Sequence, residues 1–220
     1  MSDLHPNIDS WMETCSYSQG YLSYIPQSVD ATDPPMSVIS TSAKRSRTAE
    51  GFQSDSKIFR LYCLSFHHFD DRLAKKVLES TMETADGFAI IELQDRFLSS
   101  FALMLGHIPL IYVTSIFRYY RDIWMLILIY VLPIVPIINT FDGLVSCLRT
   151  RSFKEVMALI GTVPQERGSS RFEKIAFKDD WVFRSAYEIH SRPVGYMNWI
   201  AGHRRSDMMH QQHSSTPVHE

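Results

Sequence analysis

Residues Ile58–Gln94 have the pattern of a strand, a helix and a second strand, and this pattern constrains the fold more than any other part of the chain. Ile58–Leu64 is a short run of aliphatic and aromatic residues, which is typical of a buried strand. Two aspartates then precede a predicted helix over Arg72–Thr84, and Gly87–Leu93 is again apolar enough for a buried strand. Because strand–helix–strand is the unit of a parallel sheet, the sequence predicts an α/β fold.

Polar and ring-bearing side chains are concentrated directly after the first of these strands, in the run Ser65–Asp71. Open α/β sheets bind their ligands at the carboxyl ends of the strands. The run is therefore predicted to form part of a binding site rather than a scaffold.

Five segments, in this order along the chain, carry a resemblance to a known family: Ser2–Asn7, Ser23–Thr32, Ser65–Asp71, Gly87–Gln94 and Phe141–Thr150. Together they resemble class I S-adenosylmethionine-dependent methyltransferases, and most of all a fungal and bacterial group whose fourth strand ends in Phe-His-His-Phe-Asp. The resemblance extends over residues 1–203. It implies an incomplete Rossmann-like methyltransferase sheet with a carboxyl-terminal antiparallel hairpin and an apolar helical insertion at residues 97–141.

The resemblance also implies a cofactor and site residues. S-adenosylmethionine would be held by Asp3 at its ribose hydroxyls and by Asp30 at its adenine amino group, with the amide of Ala31 close by. Ser65 and Phe66 would complete the cofactor site. A carboxylate can accept hydrogen bonds from two vicinal hydroxyls, which explains the residue type at Asp3. The alternative for Asp3 is an exposed residue near a disordered end of the chain, and the alternative for Asp30 is a turn or helix-cap residue.

His67 or His68 would lie beside the methyl group and act as the catalytic base. A histidine that titrates near neutrality can take the proton from a hydroxyl or an amine during methyl transfer. Two adjacent histidines on an irregular turn cannot both point at one place, so at most one of them would act. The alternative is that both rings pack the turn against Phe66 and Phe69.

No glycine-rich turn follows a predicted strand, although methyltransferases of this class need one for close approach of the cofactor. The resemblance thus implies that the first strand, this turn and the first helix are missing, which puts activity in doubt. We expect methylation of a small lipophilic acceptor, in a setting such as fungal secondary metabolism, if the protein is active. The alternative is a non-catalytic remnant of the fold that associates with a membrane or a partner.

Two apolar stretches, Phe97–Phe117 and Ile123–Phe141, contain no Asp, Glu, Lys or Arg. The first of them contains one histidine, His107. Each is long enough for a transmembrane helix. Breaks are expected at Gly106 and Pro109 in the first stretch, and at the prolines of the second. Three interpretations remain open: helices buried against the sheet, a hairpin on or partly in a membrane, and a two-span anchor. The location is expected to be intracellular, either cytoplasmic or membrane-associated.

The other predictions concern loops, helices and composition. The net charge of −2 gives no electrostatic case for nucleic acid, and the three cysteines and scattered histidines lack metal-ligand spacing. Residues 36–57 are expected to form a loop or disordered insertion, and residues 204–220 a disordered tail. The remaining expected elements are a helix at Ile8–Ser18, a strand at Tyr21–Pro26, a helix at Asp95–Leu105, a turn at Asp142–Gly143, a helix from the capping box at Ser152 to about Gly161, and a hairpin of Trp181–Ile189 and Val194–Ala201.

Overall fold

The computed structural model describes residues 1–35, 57–164, 174–191 and 195–205. Within these ranges the protein is a mixed α/β structure with one five-stranded mixed sheet and six α-helices. The strands lie in the order β1-β2-β5-β4-β3. Their bounds are β1 Phe59–Cys63, β2 Gly87–Glu92, β3 Lys174–Lys178, β4 Trp181–Ser191 and β5 Gly195–Arg204. The helices are α1 Ile8–Tyr17, α2 Asp71–Thr84, α3 Leu98–Arg118, α4 Ile123–Leu126, α5 Ile134–Arg149 and α6 Phe153–Ile160.

The chain divides into two compact units, which are described separately. The first comprises Met1–Arg60 and Asp71–Phe88, and the second comprises Leu61–Asp70 and Ala89–Glu220. Most of the predicted 36–57 segment and of the 204–220 tail lies outside the described residues. Arg204, where the tail was expected to begin, is instead the last residue of β5.

In the first unit, α1 begins where the Asn7 side chain accepts a hydrogen bond from the Ser10 amide. The predicted strand at Tyr21–Pro26 is wrong, because these residues have no strand structure. Ile25 and Val29 each donate one backbone hydrogen bond, to the carbonyls of Met1 and Asp3, at 2.9 Å. Such widely spaced single bonds tie the segment to the first residues of the chain without forming a ladder.

Helix α2 buries one face, formed by Ala74, Val77, Leu78 and Thr81. These positions recur at the three- and four-residue spacing that places side chains on one side of a helix. The hydroxyls of this helix also bind Arg60 of β1, whose guanidinium donates to Thr81 at 3.2 Å. The predicted strand–helix–strand unit is therefore present as β1, α2 and β2.

The second unit contains the predicted carboxyl-terminal hairpin. Strands β4 and β5 pair antiparallel from Trp181 opposite Arg204 to Ser191 opposite Gly195, so both run longer than expected. Strand β3 was not predicted; it pairs antiparallel with β4. Buried side chains on these strands include Phe183 and Ile200, and α6 adds Val156 and Met157 to the core.

Helices α3 and α5 pack against each other in the second unit and form what we call the helical hairpin, residues 98–149. The predicted end of a helix at Gly106 is wrong, since α3 continues through Pro109 to Arg118. A proline inside a helix removes one backbone hydrogen bond, and α3 accommodates this loss without ending. Between the two long helices, α4 continues as a π-helical turn, Ile127–Val131.

The expected break at Pro133 is confirmed, because the axis bends by 67° between Ile123–Val131 and Ile134–Arg149. Pro136 lies in the first turn of α5, where backbone amides have no intrahelical partner. The predicted turn at Asp142–Gly143 is wrong; both residues lie inside α5. A Cβ atom on Gly143 would come within 2.5 Å of the Met104 sulfur, so the glycine allows close packing of α3 on α5.

Candidate functional site

A buried histidine–glutamate pair lies in the second unit, at the carboxyl ends of β1 and β2. His67 belongs to a 3₁₀ turn, Phe66–His68, that follows β1, and Glu92 is the last residue of β2. The His67 Nδ1 lies 2.8 Å from Glu92 Oε2, and the backbone N–H of His67 donates to Glu92 Oε1 at 3.2 Å. Both side chains are buried. One carboxylate thus binds the ring and the main chain of the same histidine.

Arg151 binds the backbone of the same turn. Its guanidinium donates to the carbonyl of Phe66 at 3.3 Å and to that of Phe69 at 2.7 Å. It also lies over the Phe66 ring, 5.7 Å from the centroid. Arg151 therefore fixes the backbone on both sides of His67.

The two neighbouring histidines have different surroundings. His68 is exposed, whereas His67 is buried, and their ring centroids are 4.2 Å apart. Phe66 is buried with its ring edge-on to Tyr62 and to Phe69, so the ring contributes to the core.

Ser65, predicted to bind cofactor, accepts a backbone hydrogen bond from His68 at 3.2 Å. Of the other predicted cofactor residues, Phe66 belongs to the same unit, whereas Asp3, Asp30 and Ala31 belong to the first unit. The Asp3 carboxylate accepts from the amide of His5 at 2.9 Å. The Asp30 carboxylate accepts from the amide and the hydroxyl of Thr32, each at 2.8 Å, and these bonds lower the pKa of Asp30. Ala31 is half-buried within the same turn.

The Asp3 and Asp30 segments are linked through the bond from Val29 to the Asp3 carbonyl. Asp30 thus makes the local turn contacts that were weighed against a cofactor role, and Asp3 is exposed with a local contact to His5. These contacts leave part of each carboxylate's hydrogen-bonding capacity for a ligand.

A shallow cavity of about 140 Å³ opens beside Arg151 in the second unit. It is smaller than the 300 Å³ or more, roughly, of a typical ligand pocket. Burial, and then the negative charge of Asp95, raise the pKa of the Tyr187 phenol, which stays protonated at neutral pH. The cavity is lined by Asp95, Arg96, Phe97, Thr150, Arg151, Ser152, Tyr187 and Asn198.

Two side chains between β2 and α3 complete the surroundings. Asp95 accepts from the Phe97 amide at 2.9 Å and from the Ser100 hydroxyl at 2.6 Å, and α3 begins with Phe97 as its N-cap and without a side-chain cap. The Oε1 atom of Gln94 is buried and has no hydrogen-bond partner among the described residues.

The chemistry available to this site follows from the His67–Glu92 bond. A carboxylate on Nδ1 fixes the ring and favours the tautomer in which Nε2 is the basic nitrogen. Such a histidine can accept a proton from a bound hydroxyl or amine. The pair also ties the turn after β1 to β2, and this structural role needs no ligand. Among the residues that the structure describes, no group of three or more His, Cys, Asp or Glu side chains is placed to hold a metal ion.

The sequence had indicated His67 but not its partners. These partners are Glu92 and Arg151. Neither partner has a local signal, because each contact joins residues far apart in the chain. Comparisons with models of known protein families, with curated protein sequences and with solved structures find no match for this chain.

Proposed function

We propose that the protein associates with a lipid bilayer through its helical hairpin. The observation that carries this proposal is the exposure of α3, a 21-residue helix in which an 18-residue stretch has a mean hydropathy of 1.6 and is 11% buried. It is long and apolar enough to cross a membrane, and the bent α4–α5 pair would be a second span if it is counted as one. At 1.5 Å per residue, α3 is about 30 Å long, close to the hydrocarbon thickness of a bilayer.

The exposed side chains of the hairpin are large and apolar. They include Leu98 at 84%, Phe117 at 77%, Val131 at 70% and Phe141 at 67% relative exposure. Contiguous apolar surface of this extent usually marks contact with lipid or a partner. Scattered single residues would need no such explanation.

Several hydroxyl groups of the hairpin bond within it, as a bilayer requires, while His107, Asn139 and Asp142 are exposed. The Thr114 hydroxyl donates to the Leu110 carbonyl at 2.7 Å, and Ser115 bonds to Tyr130 at 3.1 Å. The Tyr130 hydroxyl also donates to the Tyr112 carbonyl. The buried Thr140 hydroxyl, in contrast, has no partner among the described residues.

Vesicle flotation tests the proposal. The full chain should float with phosphatidylcholine vesicles and stay bound after a carbonate wash. Val113→Glu with Ile137→Glu, both on the exposed side of the hairpin, should abolish flotation. The matched control is Val163→Glu with Ile189→Glu, which places the same changes on exposed residues outside the hairpin. Monomeric protein that is soluble in plain buffer and ignores vesicles would refute the proposal.

We propose as a second function that the sheet binds S-adenosylmethionine and methylates a small lipophilic acceptor. By the resemblance, β1 and β2 correspond to the fourth and fifth strands of a doubly wound sheet. The strand order 3-2-1-4-5-6 of such a sheet places these two strands and the one that follows side by side. The order β1-β2-β5 agrees with this arrangement and supports the proposal. The His67–Glu92 pair supplies a base at the carboxyl ends of β1 and β2. A membrane-bound hairpin would bring a lipophilic acceptor near the sheet. The alternative remains a non-catalytic, membrane-associated protein of this fold.

The sequence has no glycine-rich cofactor turn, so we expect weak binding. Losing two or three charge-assisted hydrogen bonds of about 1.5–3 kcal/mol each would weaken binding by roughly two to six powers of ten. Calorimetry with S-adenosylhomocysteine should therefore detect binding only at millimolar concentration. Asp30→Asn should remove it, and Asp33→Asn, an exposed neighbour, should not. Absence of any binding would favour the non-catalytic alternative.

A further inference from the structure

The turn that joins the two arms of the helical hairpin combines exposed cations with exposed aromatic rings. We call residues 118–124 the aromatic turn: Arg118, Tyr119, Tyr120, Arg121, Asp122, Ile123 and Trp124. It follows α3, which is about 30 Å long, so it lies at the opposite end of that helix from Leu98. Tyr120 is 66% and Trp124 74% exposed. Arg118 and Arg121 are exposed as well.

The negative charge of the aromatic turn is engaged within the protein, whereas its two positive charges face solvent. The Asp122 carboxylate accepts from the Met125 amide at 3.1 Å and caps α4. Each arginine lies near a tyrosine ring, with Arg118 5.9 Å from the Tyr119 centroid and Arg121 5.3 Å from that of Tyr120. No ion pair of either arginine is found within the described ranges. The two guanidiniums thus present net positive charge outward.

Arginine and amphipathic aromatic side chains have a shared place in membranes. Tyrosine and tryptophan are enriched at the headgroup level, where one side of the ring is apolar and the other wet. Guanidinium groups bind phosphate oxygens in bidentate geometry. A protein partner would instead need polar groups placed to match a specific surface, whereas the exposed large side chains of the hairpin next to the turn are mostly aliphatic.

We propose that the aromatic turn binds the headgroups of anionic phospholipids, through Arg118 and Arg121, while Tyr120 and Trp124 lie at the membrane interface. This inference rests on the proposed membrane association of the hairpin and adds the lipid class and the residues that select it. Each arginine near an anionic surface strengthens binding by about fivefold. Two of them give a preference of roughly 25- to 30-fold over neutral vesicles.

The test measures binding of the full chain to two kinds of vesicle, phosphatidylcholine alone and phosphatidylcholine with phosphatidylserine. The wild-type protein should prefer the mixed vesicles, and Arg118→Gln with Arg121→Gln should abolish the preference while leaving binding to neutral vesicles unchanged. The control, Arg72→Gln with Arg184→Gln, makes the same change of charge at exposed positions outside the hairpin and should keep the preference. Trp124→Phe should remove a blue shift of tryptophan emission that accompanies vesicle binding.

Each contrary outcome has a distinct meaning. If the double glutamine variant keeps the preference, the aromatic turn is not the headgroup site, although membrane association stands. If the protein binds neither kind of vesicle, both proposals fail. Competition by inorganic phosphate in solution would show a site for free anions instead of lipid. A stable dimer whose formation is lost in the glutamine variant would show that a second copy covers the turn.

Discussion

The helical hairpin and the sheet region, formed by β3–β5 with α6, are both rich in apolar side chains. The sheet region buries these side chains, whereas the hairpin leaves many of them exposed. In the sheet region Phe183 and Val156 are completely buried, whereas Phe141 in the hairpin is mostly exposed. The sheet region is covered by its own elements. The hairpin is covered where α3 meets the returning helices, and where α3 meets β5 and α5 meets the turn Phe66–His68.

This difference shows that apolar composition alone does not assign a segment to a core. A strand buries its side chains because neighbouring strands and a helix layer lie on its faces. A two-helix hairpin has one contact face, so most of its apolar surface needs an environment from outside the chain. That environment is a bilayer in our proposal.

The largest expected difference between the two regions is the effect of removing a phenylalanine ring. Phe183→Ala should lower the free energy of unfolding by about 3–5 kcal/mol, because it leaves a cavity in a packed core. Phe141→Ala should change it by about 0.5 kcal/mol or less, since the ring is exposed. Denaturant unfolding of both variants in the same detergent measures this. Equal losses would mean that the hairpin belongs to the folded core.

The next effect concerns the buried His67–Glu92 pair at the ends of β1 and β2. Glu92→Ala would leave both the ring nitrogen and the backbone N–H of His67 without an acceptor, at a cost of about 1–3 kcal/mol for each donor. Glu79→Ala removes an exposed partner of Lys75 and should cost about 0.5 kcal/mol or less. Unfolding by urea compares the two. Similar costs would show that Glu92 is accessible to water.

Local signals in the sequence predicted the elements whose causes are local. The capping box is present as expected, with Ser152 accepting from the Glu155 amide and Glu155 accepting from the Ser152 amide. The strand–helix–strand unit was recognisable for the same reason. Asp142–Gly143 was misjudged because close packing of α3 on α5 at Gly143 overrides local turn preference. Gly106 and Pro109 also lie inside a continuous helix, although nothing packs against the Gly106 position.

The candidate site was only partly predictable. His67 stood out because ring-bearing residues cluster after a buried strand. Its partners Glu92 and Arg151 did not stand out, since nothing near either residue differs from an ordinary charged side chain. Contacts between distant parts of the chain have no periodicity or turn chemistry that a single sequence reveals.

A third prediction uses two glycines of the hairpin as a matched pair. Gly106→Ala should stabilise α3 by about 0.5–1 kcal/mol, because a Cβ there meets nothing within 4 Å. Gly143→Ala should be roughly 1–2 kcal/mol less stable than Gly106→Ala, because its Cβ would displace Met104. Thermal unfolding in detergent measures both. In a Met104→Ala background the clash is absent, so Gly143→Ala should no longer cost more stability than Gly106→Ala. If the extra cost remains, the two helices lie further apart at this point.

The smallest expected effect is at the junction of the two regions. Arg96 donates to the Leu148 carbonyl of α5 at 2.9 Å and to Glu155 of α6 at 2.7 Å. Burial alone would raise the pKa of the Glu155 carboxyl, but hydrogen bonds from Ser152 and Arg96 outweigh it, so the pKa lies below its usual value of 4.5. A carboxyl with a lower pKa in the folded state stabilises the protein above its unfolded pKa, and this contribution is lost as the pH falls through the folded pKa.

Both partners are nearly half exposed, with side chains at 48% and 43%, so solvent screening limits the gain to about 1 kcal/mol or less. Urea midpoints measured from neutral pH down to below pH 4.5 should fall more for the wild-type protein than for Glu155→Gln. Added salt should reduce the difference, because exposed ion pairs are screened. If the two proteins lose stability in parallel, the Arg96 contact does not couple the hairpin to the sheet region, and the two regions respond to acid independently.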